Sequence, residues 1–351
     1  MSIGQLINLA RKDVINLVPY RSARNESNQV GIHLDANENP FVSTSGFNRY
    51  PEPQPVSLLQ KLSALYDVSE PQLLITRGSD EAIDLLIRVF CQANQDGILI
   101  TPPTYGMYSV SASIQGAFIE SAPLLSCEFV LDVDAIIKQW QPTIKLIFLC
   151  SPNNPTGNTL DVDAVLGLCE YFHDKALIVI DEAYVEFSTS KSLTRFLYQF
   201  PNLVILRTLS KAYGLAGVRC GSVLAHPEII ALLRKIIAPY PIPTPVLQVV
   251  LDALSETNAE RIKSQIQTIQ VQREELRAFL QNHASVNYVY ASDANFLLVA
   301  VDSPKQWMEV CRDHGIVIRD RSNIPGLSNC VRITIGTPEE NQTLQEVLRH
   351  V

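Results

Sequence analysis

The chain has 351 residues, 46% of them hydrophobic, and a formal net charge of −8 from 28 basic and 36 acidic side chains. This composition predicts a folded globular protein of roughly two domains and excludes an intrinsically disordered chain. The acidic balance disfavours nucleic acid and anionic membranes as partners, so an anionic ligand needs a local cluster of cations. No apolar stretch approaches the roughly 18–20 residues that cross a bilayer, and no signal peptide is recognisable, so we expect a cytoplasmic protein.

The cysteines and histidines show no metal-ligand spacing. The seven cysteines include no C-x-x-C pair and mostly lie in apolar runs, which predicts buried, reduced thiols and no metal site. The sequence also lacks G-x-G-x-x-G, a Walker loop, H-E-x-x-H and G-x-S-x-G. A nicotinamide-binding Rossmann domain, a P-loop enzyme, a zinc protease of that type and an α/β-hydrolase therefore lose their main support.

We expect residues 1–35 to form an N-terminal arm with one short helix, packed on the small domain or on a partner subunit. Between about residues 57 and 245, helical patterns alternate with near-continuous apolar runs, which are typical of strands covered by helices on both faces. These runs are Leu73–Thr76, Gly97–Thr101, Lys145–Cys150, Ala176–Ile180 and Leu203–Arg207. We predict an α/β domain over residues 36–245 with a mostly parallel sheet, which binds ligands at the carboxyl ends of its strands.

Residues 246–351 predict a smaller α+β domain. Four prolines between Ala238 and Pro245 prohibit regular helix there. Val246–Asn282 predicts one long connecting helix, or two in succession. Strand-like runs follow at Phe296–Val301, Gly315–Arg319 and Val331–Ile335.

A lysine follows the predicted strand Leu203–Arg207, in the segment TLSKAYGLAGVRCG. Lys211 lies among small residues just beyond a buried strand, where its amine could form a Schiff base. Ser210 and Arg219 could hold a phosphate dianion through a hydroxyl and a bidentate guanidinium. A surface lysine in a Gly/Ala-rich loop would give the same local pattern.

Two neighbouring strand ends carry polar side chains that suit a pyridine ring. Asp181 ends an apolar run, where a carboxylate is costly to bury without a cation, and the pyridinium nitrogen of pyridoxal phosphate is such a cation. Tyr184 and Asn154 could reach the phenolic oxygen of that cofactor, and Pro155 holds Asn154 extended. Each of these residues, taken singly, could also be an ordinary cap or turn residue.

The first two strand ends add an anion site and an aromatic ring. Gly78 and Ser79 open an amphipathic helix whose free N–H groups could bind a phosphate, although an N-cap at Ser79 explains the pattern equally well. Tyr105 could stack on the pyridine face or fill a loop pocket. Five strand ends together supply the contacts that pyridoxal phosphate needs, which favours an enzyme that binds this cofactor through Lys211.

The segments SPNNPTG, DEAYVEF, RTLSKAYGLAGVRCG and VRITIGT resemble those of the fold-type I aminotransferases. More narrowly, LDANENP, RYPE, RGSDEAIDLLIRVF, PPTYGMYSVSA and IAPYPIPTPV resemble the histidinol-phosphate aminotransferase family. The resemblance implies a homodimer with shared active sites and a fold-type I architecture of a large pyridoxal-phosphate domain and a smaller α+β domain. It also implies amino transfer between L-histidinol phosphate and 2-oxoglutarate, giving imidazole acetol phosphate and L-glutamate, in L-histidine biosynthesis.

The resemblance implies a role for each candidate residue. Lys211 bonds to the cofactor and moves a proton between the substrate Cα and the cofactor C4′, and Asp181 pairs with the pyridinium nitrogen. The other cofactor contacts are to the phenolic oxygen (Asn154, Tyr184), the ring face (Tyr105) and the phosphate (Ser79, Asp80, Ser210, Arg219 and, across the dimer interface, Tyr50). The substrate contacts are Tyr20, Asn295, Arg319 and Arg332.

Other functions remain open at this stage. A threonine-phosphate decarboxylase shares the framework and also handles a phosphorylated amine, and a broad aromatic-amino-acid aminotransferase shares the chemistry. A non-enzymatic pyridoxal-phosphate-binding module, as in some transcription regulators, is disfavoured because the acidic chain has no spare basic segment for a DNA-binding domain.

Overall fold

A computed structural model describes residues 4–20, 32–42, 46–125, 128–349 and 351. Its larger sheet has seven strands, in the spatial order β1-β7-β6-β5-β4-β2-β3. Their bounds are β1 (Leu73–Thr76), β2 (Gly97–Ile100), β3 (Phe118–Ser121), β4 (Ile144–Cys150), β5 (Leu177–Asp181), β6 (Leu203–Thr208) and β7 (Gly221–Leu224). Within the described part of this sheet, β7 runs antiparallel to both of its neighbours, β1 and β6, and the other pairs are parallel, so the prediction of a mostly parallel α/β sheet is confirmed.

Helices cover both faces of this sheet. They are α3 (Val56–Tyr66), α4 (Ser79–Phe90), α5 (Met107–Gln115), α6 (Val133–Gln139), α7 (Val162–Tyr171) and α8 (Pro227–Arg234). Along β5, Leu177 and Val179 join one buried cluster, whereas Ile178 and Ile180 join the cluster on the opposite face. Because successive side chains point to opposite faces and helices cover both faces, the strands are mostly apolar, with a few buried polar residues such as Arg207 of β6.

The described part of the N-terminal arm differs from the prediction. It forms two short helices, α1 (Gly4–Ile7) and α2 (Lys12–Ile15), which pack on the large sheet's own helices. Leu6, Ala10 and Val14, spaced four residues apart, are all buried there. Lys235 Nζ donates to the carbonyl of Ile15 at 2.5 Å and adds a polar contact to this docking. The rest of the predicted arm, residues 1–3 and 21–31, lies outside the described residues.

The second sheet has four antiparallel strands, in the order β10-β11-β9-β8. Their bounds are β8 (Val286–Val289), β9 (Phe296–Val301), β10 (Arg319–Asp320) and β11 (Cys330–Thr334). Helices α11 (Pro304–Asp313) and α12 (Pro338–Leu348) pack with it around a core that includes the fully buried Trp307. The predicted strand from Gly315 begins only at Arg319, because Gly315 has φ +74 and ends α11 in a left-handed turn.

Two helices in succession join the sheets: α9 (Thr244–Ala253) and α10 (Glu256–Gln281). The domain bounds 36–245 and 246–351 stay predictions. Within the described residues, no helix is both long and apolar enough to span a bilayer. The six described cysteines are free and buried, and Cys127 lies outside the described part of the chain.

Candidate active site

A cleft of about 680 Å³ lies at the carboxyl ends of the parallel strands. Loops after β1, β2, β4, β5 and β6 form one wall, and residues of β10 and β11 form the other. This is where open α/β sheets bind ligands. Eleven of the predicted site residues line it: Ser79, Asp80, Tyr105, Asn154, Asp181, Tyr184, Ser210, Lys211, Arg219, Arg319 and Arg332.

Asp181 is a buried carboxylate at the floor of the cleft, with 2% of its surface exposed. Its Oδ2 accepts a hydrogen bond from Tyr108 Oη at 2.9 Å, and its Oδ1 accepts one from the backbone N–H of Ala183 at 3.1 Å. Burial raises the pKa of Asp181 to about 6, although both hydrogen bonds oppose that rise. A carboxylate in this position is stabilised by a cation placed in the cleft.

The hydroxyl partner, Tyr108, was not identified from the sequence. It is fully buried in α5 and stacks on Phe148 of β4 with ring centroids 4.8 Å apart. A tyrosine inside an amphipathic helix looks like ordinary core, so no local signal distinguishes it. Its hydroxyl reaches Asp181 because the ring of Tyr108 packs on Phe148 of β4, the neighbour of β5 in the sheet.

Lys211 follows β6 and reaches into the same cleft. Its Nζ lies 5.4 Å from the centroid of the Tyr184 ring. Burial, followed by the positive charge of Arg332, lowers the pKa of Lys211. The neutral amine is the form that attacks a carbonyl, so this environment favours covalent bond formation.

An anion cradle lies beside the lysine. Ser210 Oγ accepts hydrogen bonds from Thr208 Oγ1 at 3.0 Å and Arg219 Nη1 at 3.3 Å. Gly78, with φ +84, precedes α4, and a Cβ there would lie 2.6 Å from Arg219 Nη2. The glycine thus lets the guanidinium approach the start of α4, whose free N–H groups favour an anion.

Asp80 shapes the same corner of the cleft. Its Oδ2 accepts from Arg219 Nη2 at 3.2 Å, and its Oδ1 accepts from Tyr105 Oη at 3.0 Å. Asp80 therefore fixes the position of both side chains. The stacking predicted for Tyr105 stays a prediction.

Asn154 is oriented by a contact from the small sheet. Arg332 Nη1 donates a hydrogen bond to Asn154 Oδ1. A guanidinium only donates, so the amide oxygen must face Arg332 and the amide NH₂ remains available as a donor. The guanidinium of Arg332 also lies 5.2 Å from the centroid of the Phe296 ring.

The far wall of the cleft is strongly cationic. Arg319 and Arg332 are directly paired across β10 and β11, and Arg321 lies two residues further on. Burial and the two neighbouring guanidinium groups lower the pKa of Arg321 to about 10. Arg321 was not identified from the sequence, although side chains two apart on an extended segment share a face. Altogether five cations and two carboxylates line the cleft of a chain whose net charge is −8, as suits an anionic ligand.

Three of the predicted site residues are not among the described residues that line the cleft. Tyr50 is 51% exposed, and its ring stacks on Tyr240 with centroids 4.6 Å apart. Tyr20 is 74% exposed. Asn295 is half-buried, and its carbonyl accepts from the backbone of Ile335. Their roles towards cofactor and substrate stay predictions.

The groups in the cleft fit pyridoxal phosphate. A buried carboxylate with room for a cation, an amine of lowered pKa, a free amide donor and an anion cradle match its ring nitrogen, aldehyde, phenolic oxygen and phosphate. When bound, this cofactor supplies an electron sink for carbanion chemistry. Among the described residues, no group of three His, Cys, Asp or Glu side chains could hold a metal ion.

Comparisons with known proteins agree with this chemistry. The family model "Aminotransferase class I and II" matches residues 12–348. The histidinol-phosphate aminotransferase of Yersinia pseudotuberculosis serotype O:1b is 44% identical over 345 residues, which cover 96% of this chain and 89% of that protein. The corresponding protein of Yersinia pestis (strain Pestoides F) is 43% identical with the same coverage.

Solved structures show the same fold. The histidinol-phosphate aminotransferase of Clostridium acetobutylicum matches with a TM-score of 0.78 and 23% identity, over 87% of this chain and 92% of that one. That of Sinorhizobium meliloti, in complex with pyridoxal-5′-phosphate, matches with a TM-score of 0.77 and 23% identity, over 87% and 84%. The fold-type I resemblance read from the motifs is thus confirmed, and the chain belongs to the class I and II aminotransferases, a family of pyridoxal-phosphate-dependent enzymes.

Proposed function

We propose that this chain catalyses amino transfer from L-histidinol phosphate to 2-oxoglutarate, giving imidazole acetol phosphate and L-glutamate, in L-histidine biosynthesis. The Yersinia relatives, at 43–44% identity over 96% of the chain, carry the corresponding name. The observation that carries the proposal is the guanidinium-lined wall opposite Lys211, because both amino donors present an anionic group next to the reacting amine.

On the cofactor side, Lys211 bonds to the cofactor and moves the proton between the substrate Cα and the cofactor C4′. Asp181 pairs with the ring nitrogen and keeps it protonated, since an anionic partner in a buried site favours the cation. Asn154 donates its free amide N–H to the phenolic oxygen together with Tyr184. Tyr105 covers the ring.

The cofactor phosphate is bound by Ser210, Arg219 and the backbone at Ser79 and Asp80. The free N–H groups at the start of α4 and the bidentate guanidinium together suit a dianion. Arg219 itself has φ +58, a conformation rare for a bulky residue, which accords with a functional position.

On the substrate side, one position has to accept two anions in alternate half-reactions. Glutamate carries a carboxylate on its Cα, whereas histidinol phosphate carries a CH₂–O–phosphate there. Arg332 contacts both, and Arg319, directly opposite it, supplies the second charge that a phosphate needs. Tyr20 and Asn295 complete the contacts to substrate.

A homodimer with shared sites is part of the proposal. The described residues between 32 and 56 expose many large apolar side chains, at 48–91% of their surface: Ile32, Leu34, Phe41, Val42, Phe47, Tyr50 and Val56. A second subunit would cover such a surface, and Tyr50 would reach the partner's cofactor phosphate. We further propose a large domain over residues 36–245, a small domain over 246–351, and a cytoplasmic location in keeping with a biosynthetic reaction.

The test is a set of spectral titrations of the cofactor-loaded enzyme with L-histidinol phosphate, L-glutamate and L-phenylalanine. We expect the first two to change the cofactor spectrum at much lower concentrations than phenylalanine. An equal response to all three would indicate a broad aminotransferase. Release of CO₂ from phosphothreonine without a keto acid would indicate a decarboxylase, and either result would overturn the substrate assignment.

A further inference from the structure

We infer that Arg321 is a specificity-determining residue that favours a phosphate monoester over a carboxylate in the cleft, an inference that rests on the proposed function for the identity of the substrate. It deepens that function by assigning a task to a third guanidinium. Three observations carry it: the register of two strands, the lack of counter-charges, and the charge demand of the two anions.

The register places like charges together. Arg319 of β10 is the direct partner of Arg332 of β11. The pairing continues past the end of β10, because the backbone N–H of Arg321 donates to the carbonyl of Cys330 at 2.8 Å. Arg321 therefore points to the same face as Arg319, and all three side chains line the cleft. Like charges directly opposite each other destabilise a strand pair, so this arrangement does not serve the stability of the sheet.

Arg319, Arg321 and Arg332 lack paired counter-charges. Within the described part of the chain, none of the three forms an ion pair with a carboxylate. The side-chain hydrogen bond of Arg332 goes to Asn154, a neutral amide. Arg321 is half-buried, and its Nε is buried without a hydrogen-bond partner. Asp320 alternates to the opposite side of the extended segment, and its charge acts on Arg321 less than the two neighbouring guanidinium groups do. An anion bound against the three guanidinium groups would compensate their charge.

The charge demand separates the two ligands. A carboxylate carries one charge and two oxygens, which one or two guanidinium groups satisfy. A phosphate monoester carries about −1.5 to −2 at neutral pH and three acceptor oxygens. Arg319 and Arg332 therefore suffice for the α-carboxylate of glutamate, whereas the third acceptor oxygen of a phosphate at the same position gives a partner to Arg321. Arg321 accordingly contributes to one half-reaction and not to the other.

The experiment compares holoenzyme of the wild type with Arg321→Gln and Arg321→Lys by isothermal titration calorimetry. The probes are propyl phosphate and butyrate, a phosphate monoester and a monocarboxylate on the same three-carbon chain, which have no amine and cannot react. We expect Arg321→Gln to weaken the binding of propyl phosphate about tenfold, the lower end for a hydrogen bond to a charged group, and that of butyrate less than about twofold. Arg321→Lys retains the positive charge without the planar, bidentate guanidinium, so it should recover part of the lost affinity for propyl phosphate.

Arg312→Gln is the matched control, because Arg312 is exposed on α11 and pairs with Asp313 outside the cleft. It should leave both affinities unchanged. Kinetics give a second measurement: Arg321→Gln should lower kcat/KM for histidinol phosphate and leave that for glutamate nearly unchanged. An equal loss for both ligands would assign Arg321 a structural role, and no loss for either would remove it from the site.

The outcomes also separate this inference from the proposed function. A wild-type enzyme that does not turn over histidinol phosphate refutes the proposed function. If propyl phosphate still binds and Arg321→Gln selectively weakens it, the phosphate preference of the cleft stands. If turnover is normal and the variant keeps its phosphate affinity, the inference fails and the proposed function stands.

Discussion

The hydrogen bond from Tyr108 to Asp181 offers a direct test of how this cleft keeps a buried carboxylate ionised. The Tyr108→Phe substitution removes one oxygen, the donor at 2.9 Å from Asp181 Oδ2, and keeps the ring that stacks on Phe148. The packing therefore changes little. What changes is the free energy of the ionised carboxylate relative to the neutral acid.

The size of the effect follows from the geometry. A hydrogen bond to a charged group contributes about 1.5–3 kcal/mol. Loss of this bond therefore raises the pKa of the carboxyl by about 1–2. Burial already raises the pKa of Asp181 to about 6. In the variant without cofactor, we therefore expect a value of about 7–8, so that much of Asp181 is neutral at neutral pH.

The assay is the dissociation constant of pyridoxal phosphate, measured by equilibrium dialysis between about pH 6 and pH 9. Because the proposed pairing with the cofactor needs the ionised form of Asp181, the affinity for the cofactor should fall as pH drops through the pKa of Asp181 in the cofactor-free enzyme. In Tyr108→Phe this fall should begin at higher pH, and affinity should recover in alkaline solution. Tyr66→Phe is the control, since Tyr66 is buried and its hydroxyl has no hydrogen-bond partner among the described residues. A wild-type pH profile in Tyr108→Phe would refute the reasoning.

Three further outcomes are expected. Lys211→Ala should lose the borohydride-reducible bond to the cofactor, seen by mass spectrometry; an unchanged adduct would mean that another amine forms it. Asp181→Asn should stabilise the cofactor-free protein at pH 7 by up to about 3 kcal/mol in denaturant unfolding. The sign follows because the pKa of Asp181 lies at about 6 in the folded protein and near its usual 3.8 in the unfolded chain. The wild type therefore loses stability as pH rises between these two values. A variant no more stable than wild type at pH 7 would contradict this. Mixing Tyr50→Ala with Lys211→Ala subunits should restore about a quarter of wild-type activity if each Tyr50 serves the partner's site; no recovery in exchanged dimers would place Tyr50 outside it.

Much of the site is determined by local sequence. A strand covered on both faces has to be continuously apolar, so the first polar residue after it marks a strand end. Asp181, the last residue of β5, is recognisable for this reason, and Lys211 and Asn154 follow shortly after the ends of β6 and β4. In a parallel sheet these ends lie at one edge, which makes their convergence in one cleft predictable.

The contacts that cross between distant segments were decided only by the tertiary structure. The amide of Asn154 is oriented by Arg332, 178 positions away, and Asp181 is held by Tyr108, which lies in a helix whose pattern signals only burial. The opposition of Arg319 and Arg332 depends on the register of β10 and β11, which a one-residue slip would abolish. Local sequence thus determines which chemical groups reach the strand ends. The orientation of these groups, their pKa values and their neighbours depend on packing and register. Packing and register are properties of pairs of elements, which the sequence of either element alone does not contain.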